Sequence, residues 1–305
     1  MANPTTWTKL SEEISGAIEH AGRSVVAIQS RHRRASSGVI WRPSLVVTAD
    51  HAVRRESEPT VILEGGKSVA ATLLGRDPTT DLAVLKLSTA SDLIPVEAVE
   101  PADLKVGQLV VAVGRTWRGN LVAASGILSG LMGAWRTSHG GEIDRFIRPD
   151  LTMYPGFSGS ALVDPGGRAL GLNTTGLRRG ACITIPPPTV NRVVDELLEK
   201  GHIARPYLGL AMQPVRLPES LRSRVNLKTE AGLLVVDVEP NGPADQAGVI
   251  VGDILIGLGG GTLGEVFELQ EQLHGKRIGD RVELSVIRGG TRTTIVVSVG
   301  EHPVG

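Results

Sequence analysis

The stretch that decides the fold reads Pro155-Gly156-Phe157-Ser158-Gly159-Ser160-Ala161-Leu162-Val163. A serine between two glycines stands directly ahead of a short apolar run, which predicts a tight turn that leads into a buried strand. Because glycine permits backbone twists that other residues resist, the amides of Gly156 and Ser158 can point into one cavity. Two such donors make an oxyanion hole for the tetrahedral intermediate of acyl transfer. Ser158 is therefore a candidate nucleophile, although similar glycine turns also occur for structural reasons alone.

Two upstream segments offer the partners that a nucleophilic serine needs. The apolar run at 45–49 predicts a buried strand that ends at His51, and a second apolar run, at 82–87, follows Asp81 directly. An unpaired carboxylate is unfavourable at the start of a buried strand, and the imidazole of His51 is a suitable donor to it. His51 is then the general base and Asp81 the carboxylate that orients it. We expect Asp50 to be a poor orienting partner, because neighbouring residues on a strand point to opposite faces.

Six segments are similar to sequence blocks of one known family: Thr48-Ala49-Asp50-His51-Ala52-Val53, Thr80-Asp81-Leu82-Ala83-Val84-Leu85, Val113-Gly114, Ser125-Gly126-Ile127-Leu128-Ser129, Pro155-Gly156-Phe157-Ser158-Gly159 and Ala169-Leu170-Gly171-Leu172-Asn173-Thr174. The chain resembles the HtrA (Deg) family, which comprises trypsin-fold serine proteases with C-terminal PDZ domains. The resemblance implies that His51 is the base, that Asp81 is the orienting carboxylate and that Ser158 is the nucleophile. It also implies that Gly156 and Ser158 supply the oxyanion amides.

The chain departs from the family pattern at two positions beside the serine. Family members usually carry Asn or Asp before the serine and a second glycine after Gly159, whereas this chain has Phe157 and Ser160. We expect Phe157 to reshape the nearby subsite and Ser160 to add a Cβ where the backbone is crowded. Neither residue removes a catalytic atom. We therefore expect altered specificity or slower turnover rather than an inactive enzyme.

Many short strand-like runs with turns between them predict a mainly β protein. We expect a helical segment at 1–22, then a chymotrypsin-like double β-barrel protease domain at 23–203 and a small α+β PDZ domain at 204–305. The active site is expected in the cleft between the barrels. The first barrel would supply the base and its orienting carboxylate, and the second barrel would supply the nucleophile.

The sequence changes character after a helix that closes the protease domain. An apolar stripe over 190–198, capped by Thr189, predicts this helix. Beyond it, Tyr207-Leu208-Gly209-Leu210 resembles the carboxylate-binding loop of PDZ domains, and 242–255 resembles core strands and a turn of the same domains. The resemblance implies that the backbone amides of this loop receive the C-terminal carboxylate of a peptide that adds as a strand. A helix over 264–273 is predicted as the other wall of the groove, and we expect its apolar face to be core.

Composition and motifs argue against several other classes of function. Lysine plus arginine and aspartate plus glutamate number 32 each, which is evidence against a nucleic acid or an anionic membrane as the main partner. The remaining histidines show no ligand-like spacing, and neither HExxH nor paired CxxC occurs, so we predict no metal and no cofactor. No segment approaches the roughly 20 apolar residues that span a bilayer, so no membrane span is expected.

The expected compartment follows from the cysteine count and the first residues. Cys182 is the only cysteine, so no intramolecular disulfide is possible. Residues 1–10 lack the basic start and the apolar run of a secretory signal. As it stands, the sequence predicts a cytoplasmic protein. Removal of a signal peptide from ahead of Met1 would instead make it periplasmic or extracellular.

Taken together, these patterns predict a serine endopeptidase, and the resemblance implies that it cleaves unfolded or damaged proteins in quality control. We expect extended substrate to pair with the strand edge near 172–174, and the resemblance implies a homotrimer or a larger homo-oligomer. The alternative is a catalytically silent PDZ-containing adaptor or holdase, supported only by Phe157 and Ser160. A purely structural PDZ scaffold leaves the protease-like residues unexplained. An α/β-hydrolase esterase is rejected, because it needs glycine at 160 and an acid and a histidine after the serine.

Overall fold

The structure, a computed structural model, describes residues 5–31, 34–53, 59–89, 93–100, 102–138, 140–178, 180–203, 206–274 and 276–301. The chain divides into two compact units, Met1–Ile203 and Ala204–Gly305. Among the described residues, no helix is long and apolar enough to cross a bilayer.

The first unit consists of two closed antiparallel barrels flanked by α1 (Thr6–Gly22) and α2 (Pro187–Lys200). The first barrel, in the order β1-β2-β3-β6-β5-β4, contains β1 (Val25–Arg31), β2 (Arg34–Arg42), β3 (Leu45–Ala49), β4 (Thr60–Ile62), β5 (Ser68–Asp77) and β6 (Leu82–Leu87). The following strands are β7 (Leu109–Arg115), β8 (Leu121–Met132), β9 (Trp135–Arg136), β10 (Glu142–Ile143), β11 (Phe146–Asp150), β12 (Ala161–Val163), β13 (Ala169–Thr174) and β14 (Ile183–Ile185). The second barrel closes in the order β11-β14-β13-β12-β7-β8, and β9 pairs with β10 outside it.

Small aliphatic residues fill the core of the first unit. One apolar cluster joins the two barrels, with Val47 and Val84 from the first and Val113 from the second. Helix α2 covers this cluster with Val190, Val193, Val194 and Leu197, which are buried as predicted, whereas Leu198 of the predicted stripe is 47% exposed. Because each residue of β3 is buried, the chain leaves the core only where β3 ends. The predicted mainly β class with paired barrels is confirmed.

Helix α2 begins differently from the prediction. Its N-cap is Pro186, and prolines occupy the first helical positions, where their missing N–H groups have no intrahelical role. Thr189 is not the cap. It lies inside the first turn, and its hydroxyl donates to Asp144 Oδ2 at 2.5 Å. The helix ends at Gly201 in the left-handed conformation, with φ 77°, as glycine at this position favours.

The second unit is built on one antiparallel sheet. Its elements are β15 (Pro206–Tyr207), β16 (Leu210–Arg216), α3 (Glu219–Arg224), β17 (Ala231–Val238), α4 (Pro243–Gln246), β18 (Ile254–Leu258), β19 (Gly261–Thr262), α5 (Val266–His274), β20 (Arg281–Arg288), β21 (Thr291–Ser298) and β22 (Gly300–Glu301). The sheet runs β16-β17-β18-β20-β21, β19 pairs with β18, and β15 pairs with β22. Leu269 and Leu273 of α5 are buried in the core of this unit, as expected from their spacing.

Candidate active site

His51 lies on a 3₁₀ turn, Asp50–Ala52, that directly continues β3. The turn is closed by the Val53 N–H, which donates to the carbonyl oxygen of Asp50 at 3.0 Å. The imidazole side chain is 43% exposed, whereas β3 before it is fully buried. The end of the buried strand therefore delivers a histidine to the surface while its backbone stays anchored in the barrel.

Asp81 is presented by the turn between β5 and β6. The carboxylate of Asp77 accepts hydrogen bonds from the Thr79 N–H and from the hydroxyls of Thr79 and Thr80, at 3.1, 2.6 and 2.7 Å, and these bonds shape the turn. Asp81 itself has φ 56°, in the left-handed region that aspartate tolerates better than most residues. It is buried, so its carboxylate depends on the donors that surround it.

The carboxylate of Asp81 is the centre of a hydrogen-bond network around His51. The Nδ1 atom of His51 lies 2.8 Å from Oδ2 and 3.0 Å from Oδ1 of Asp81, and the His51 N–H donates to Oδ1 at 2.9 Å. The hydroxyl of Thr174, on β13 of the other barrel, also donates to Oδ2. The hydrogen bond to Asp81 raises the pKa of His51 above its usual value. Because an ionised carboxylate only accepts, Nδ1 is the protonated nitrogen and Nε2 of the neutral ring is free to accept a proton.

Ser158 follows a turn that proline and glycine shape. The Phe157 N–H donates to the Tyr154 carbonyl oxygen at 3.0 Å, so Pro155 and Gly156 are the central residues of the turn. Gly156 has φ 100°, and proline followed by a left-handed glycine is typical of a type II turn. In the described part of the chain, neither the Gly156 N–H nor the Ser158 N–H donates a hydrogen bond, so both remain available to a bound oxyanion.

Gly159 and Ser37 hold this turn against the first barrel. Gly159 has φ 83°, and a Cβ there would overlap the carbonyl oxygen of Ser37 and lie 2.6 Å from Thr48 Oγ1. The Ser37 N–H donates to the Ser158 carbonyl oxygen at 3.0 Å, and its hydroxyl donates to the Gly156 carbonyl oxygen at 2.9 Å. Ser37 is fully buried on β2. The first barrel therefore fixes the carbonyl groups of Gly156 and Ser158, the residues on either side of Phe157.

The two unusual residues beside Ser158 are both buried. Phe157 is only 2% exposed, and its ring packs edge-on to Tyr154, with centroids 5.5 Å apart, and against Gly114. The expectation that its side chain reshapes a subsite is wrong, since the ring is core and anchors the turn. Ser160 is also buried, and its hydroxyl accepts from Asn173 Nδ2 at 3.1 Å, so the added side chain has a polar partner.

The hydroxyl of Ser158 is turned toward a neighbouring threonine. Ser158 Oγ lies 3.2 Å from Thr175 Oγ1, just beyond the end of β13. It makes no hydrogen bond to His51 within the residues that the structure describes. Gly176 closes the other side of the site, because a Cβ there would lie 2.7 Å from His51 Nδ1. His51 and Asp81 are thus paired, while Ser158 has a different partner.

The strand β13 is paired on both sides at Leu172 but on one side only at Thr174, within the described residues. Leu172 pairs with Ala161 on one side and with Ile185 on the other, and Thr174 pairs with Ile183. β13 is an inner strand of the second barrel, but its last residue, Thr174, has a strand partner on one side only among the described residues. The addition of extended substrate near 172–174 therefore stays a prediction.

Sequence reasoning missed the residues that support the site from a distance, Ser37, Thr174, Thr175 and Gly176. Thr174 lay within a quoted segment, but nothing in the sequence indicated its contact with Asp81. Asp50, as expected, is not the partner of the imidazole ring, but it is buried and pairs with Arg76. Within the described residues, no group of three or more histidine, cysteine, aspartate or glutamate side chains is placed to hold a metal ion. Cys182 is buried, and burial raises the pKa of its thiol to about 12.

The loop at the start of the second unit lies at a sheet edge. Tyr207 ends β15 and Leu210 begins β16, the edge strand of the sheet. Between them, the carbonyl oxygens of Leu208 and Gly209 accept hydrogen bonds from Ala244 and Glu239 at 2.9 Å each. In the described part of this unit, the N–H groups of Leu208 and Gly209 donate no hydrogen bond. The loop is thus fixed through the carbonyl oxygens of Leu208 and Gly209, whose own N–H groups have no acceptor in the described part of this unit.

Comparison with known families finds two matches along the chain. The trypsin-like peptidase domain family matches residues 36–172, and the PDZ domain family matches residues 206–299. The two matches fall in the first and the second unit, respectively.

Curated relatives cover the same two regions. A probable periplasmic serine endoprotease DegP-like of Bartonella henselae is 32% identical over 263 residues, which cover 85% of this chain and 51% of that protein. A serine protease Do-like HtrA of Lactobacillus helveticus is 32% identical over 271 residues, covering 83% of this chain and 65% of that protein. The chain therefore spans about half to two thirds of the length of these relatives.

Solved structures share the fold along nearly the whole chain. The serine endoprotease from Yersinia pestis is 26% identical, with a TM-score of 0.72, and the alignment covers 99% of this chain and 100% of that chain. An HtrA-type protease, AlgWS227A with decapeptide, has a TM-score of 0.74 at 24% identity, covering 95% of this chain and 98% of that chain, and it shows the fold alone.

Proposed function

This chain belongs to the HtrA (Deg) family of serine proteases, and on that premise we propose that it is a serine endopeptidase with Ser158 as its nucleophile. His51 removes the proton from the Ser158 hydroxyl, Ser158 forms an acyl-enzyme, and water releases the acyl group by the reverse path. One observation supports this role most directly: the Asp81 carboxylate binds both Nδ1 and the backbone N–H of His51. That arrangement fixes the tautomer and orientation that a general base requires.

The oxyanion hole is proposed at the amides of Gly156 and Ser158. Both belong to a turn that is held by the left-handed Gly156, by the hydroxyl of Ser37 and by the buried ring of Phe157. Donors that are fixed before the reaction stabilise developing negative charge without reorganisation at the moment of attack. The same supports speak against the silent adaptor, because Phe157 and Ser160 fill the core behind the turn and leave these amides in place.

The second unit is proposed to bind peptide C-termini at Tyr207, Leu208, Gly209 and Leu210. Free amides at Leu208 and Gly209 suit a carboxylate, and the adjoining edge strand β16 suits a peptide that adds to the sheet. Substrates of the protease site would be unfolded or damaged chains, because an extended backbone is needed to enter a cleft between two barrels. Assembly into a homotrimer or a larger homo-oligomer is proposed from the family alone.

The compartment is likewise inferred from relatives. The names of the bacterial relatives include periplasmic proteases, and a relative from Arabidopsis thaliana is named chloroplastic. These names support action outside the cytoplasm. The cytoplasmic expectation drawn from the first residues stays a prediction, which fractionation of the native host would test.

Replacing Ser158 with alanine tests the proposed activity. We expect cleavage of unfolded casein to fall by on the order of 10⁴-fold or more, and labelling by a fluorophosphonate probe to disappear. A parent protein that neither cleaves nor labels, even with peptides that end in a free carboxylate, would make the silent adaptor the better interpretation. The Ser158→Ala protein also serves to measure peptide affinity without cleavage. In that protein, a peptide that ends in a free carboxylate should bind more tightly than the same peptide with a C-terminal amide.

A further inference from the structure

A buried ion pair lies directly beside the turn that carries His51. Arg76, near the end of β5, donates from Nε to Asp50 Oδ1 at 2.5 Å. Its Nη2 atom donates to the carbonyl oxygens of Asp50 and Val53, at 3.2 and 3.3 Å. A single guanidinium therefore holds the side chain of the first residue of the turn and two carbonyls, one from the turn itself and one from the residue after it.

The same turn is fixed to Asp81 through its backbone. The Asp50 N–H donates to the Asp81 carbonyl oxygen at 3.0 Å, and the N–H of His51 donates to the Asp81 carboxylate. Arg76 holds the carbonyl side of the turn and Asp81 holds the N–H side. Rotation of this turn would therefore have to break hydrogen bonds on both sides at once.

Burial makes each member of the pair dependent on the other. Asp50 is 7% exposed, and the side chain of Arg76 is 20% exposed. A carboxylate in such a place is unfavourable without a partner, and burial raises the pKa of Asp50 although Arg76 opposes that change. A surface ion pair of this kind would have little structural effect, whereas this one constrains the turn.

We propose that Arg76 and Asp50 are positioning residues that hold His51 in line with Asp81. The inference rests on the proposed function, since it assigns the pair a role in presenting the base of that reaction. Neither residue is proposed to touch substrate. Both act through the 3₁₀ turn and through the charge that they place beside the imidazole.

The charged groups around the turn determine whether a substitution raises or lowers the pH at which His51 takes up a proton. Within the described residues, Asp81 and Asp50 face the imidazole, and Arg76, Asp77 and Asp81 face Asp50. Both acids stabilise the protonated imidazole. Removal of the charge of Asp50 alone should therefore lower the pH at which His51 takes up a proton. The Asp50→Asn substitution makes this change while it keeps a side-chain oxygen that accepts from Arg76.

The decisive measurement follows the titration of His51 itself. In the Ser158→Ala protein, the imidazole C–H signals of His51 are identified by their loss on His51→Gln substitution. With Asp50→Asn added, we expect their titration to move to lower pH by roughly half a unit. With Ser158 restored, the acid limb of kcat/KM should move in the same direction. An unchanged titration would overturn the proposal.

The geometric part of the proposal is tested with Arg76→Met, which removes three hydrogen bonds from the turn and its neighbour. We expect kcat/KM to fall by about 10- to 100-fold, mainly in kcat, because a displaced base is costly to the reaction. The double variant Asp50→Ala/Arg76→Met leaves no unpaired buried carboxylate, so it should lose less than Arg76→Met alone. Parental kcat/KM in Arg76→Met, or strictly additive losses, would contradict the proposal.

A matched control comes from the second unit. Arg288 donates to the buried carboxylate of Asp253 at 2.8 and 2.6 Å, so Arg288→Met also breaks an ion pair to a buried acid. That variant should unfold more easily while the titration of His51 stays in place, and a shift there would contradict the proposal. Because the titration needs no turnover, it also separates the two hypotheses. An inactive parent refutes the proposed function, and the shift in Asp50→Asn still decides the role of the pair.

Discussion

The two sides of the candidate active site are held in different ways. On the first barrel, His51 and Asp81 are joined by hydrogen bonds through both the ring and the backbone. On the second barrel, Ser158 sits on a glycine turn with its hydroxyl toward Thr175 rather than His51. The proposed base therefore already has its orienting partner, whereas the hydroxyl of the proposed nucleophile has a partner other than the base.

Each barrel also supplies a support to the other. Thr174 of the second barrel donates to Asp81, and Ser37 of the first barrel holds the carbonyls of Gly156 and Ser158. Neither half of the site is complete without a side chain from the opposite barrel. A small shift between the barrels would therefore disturb the base and the nucleophile together.

The largest effect is expected from Gly159→Ala, which breaks the support on the nucleophile side. An added Cβ would overlap the Ser37 carbonyl and push the turn away from the first barrel. Since displacement by about 1 Å can cost on the order of 10²-fold, fluorophosphonate labelling should slow by at least that factor. Gly140→Ala is the matched control, because Gly140 has a similar φ of 81° but no heavy atom within 4 Å of a Cβ. Equal losses in the two variants would show that backbone strain alone, and not the contact with Ser37, is responsible.

A smaller effect is expected on the side of the base, from Thr174→Val. The substitution keeps the shape of the side chain but removes one donor to the buried Asp81 carboxylate. We expect the free energy of unfolding to fall by about 1.5–3 kcal/mol, the range for a hydrogen bond to a charged group, and casein cleavage to fall by roughly 10-fold. Thr189→Val removes a similar hydroxyl donor to a carboxylate, that of Asp144, away from the site. If both variants lose stability but keep full cleavage, Thr174 serves folding and not the base.

The sequence alone allowed prediction of those features of the candidate site that depend on local sequence pattern. Apolar runs that end at His51 and begin after Asp81 predicted the pairing of these two residues, the proposed base and its partner, because the ends of short apolar runs mark the ends of buried strands. The residues that support the site could not be predicted from the sequence, because Ser37 and Gly156 lie 119 positions apart in the chain and Thr174 and Asp81 lie 93 apart. Such pairs depend on how the two barrels pack, which no local pattern encodes.

Phe157 also shows that local sequence is not enough, because here it led to a wrong expectation. Its place beside a candidate nucleophile suggested a role in specificity, but Gly114 on β7 leaves space behind the turn that the ring fills. Whether an apolar residue next to a reactive one faces substrate or core depends on that distant glycine. Asp50 is not the partner of the imidazole, as expected, but the reason given for that expectation does not hold, because the residues after β3 form a 3₁₀ turn and not a continued strand.

The smallest effect, and the most direct test of the contrast, is expected from Thr175→Val. Loss of the Thr175 hydroxyl removes the partner that now holds Ser158 Oγ at 3.2 Å, without changing the volume of the side chain much. A neutral hydrogen bond contributes about 0.5–1.5 kcal/mol, so Ser158 should be released toward His51 and fluorophosphonate labelling should accelerate by roughly 2- to 10-fold. Thr175→Ser keeps the hydroxyl and should label at the parental rate. Slower labelling of Thr175→Val would mean that Thr175 orients the nucleophile for attack, and the two sides of the site would then be equally prearranged.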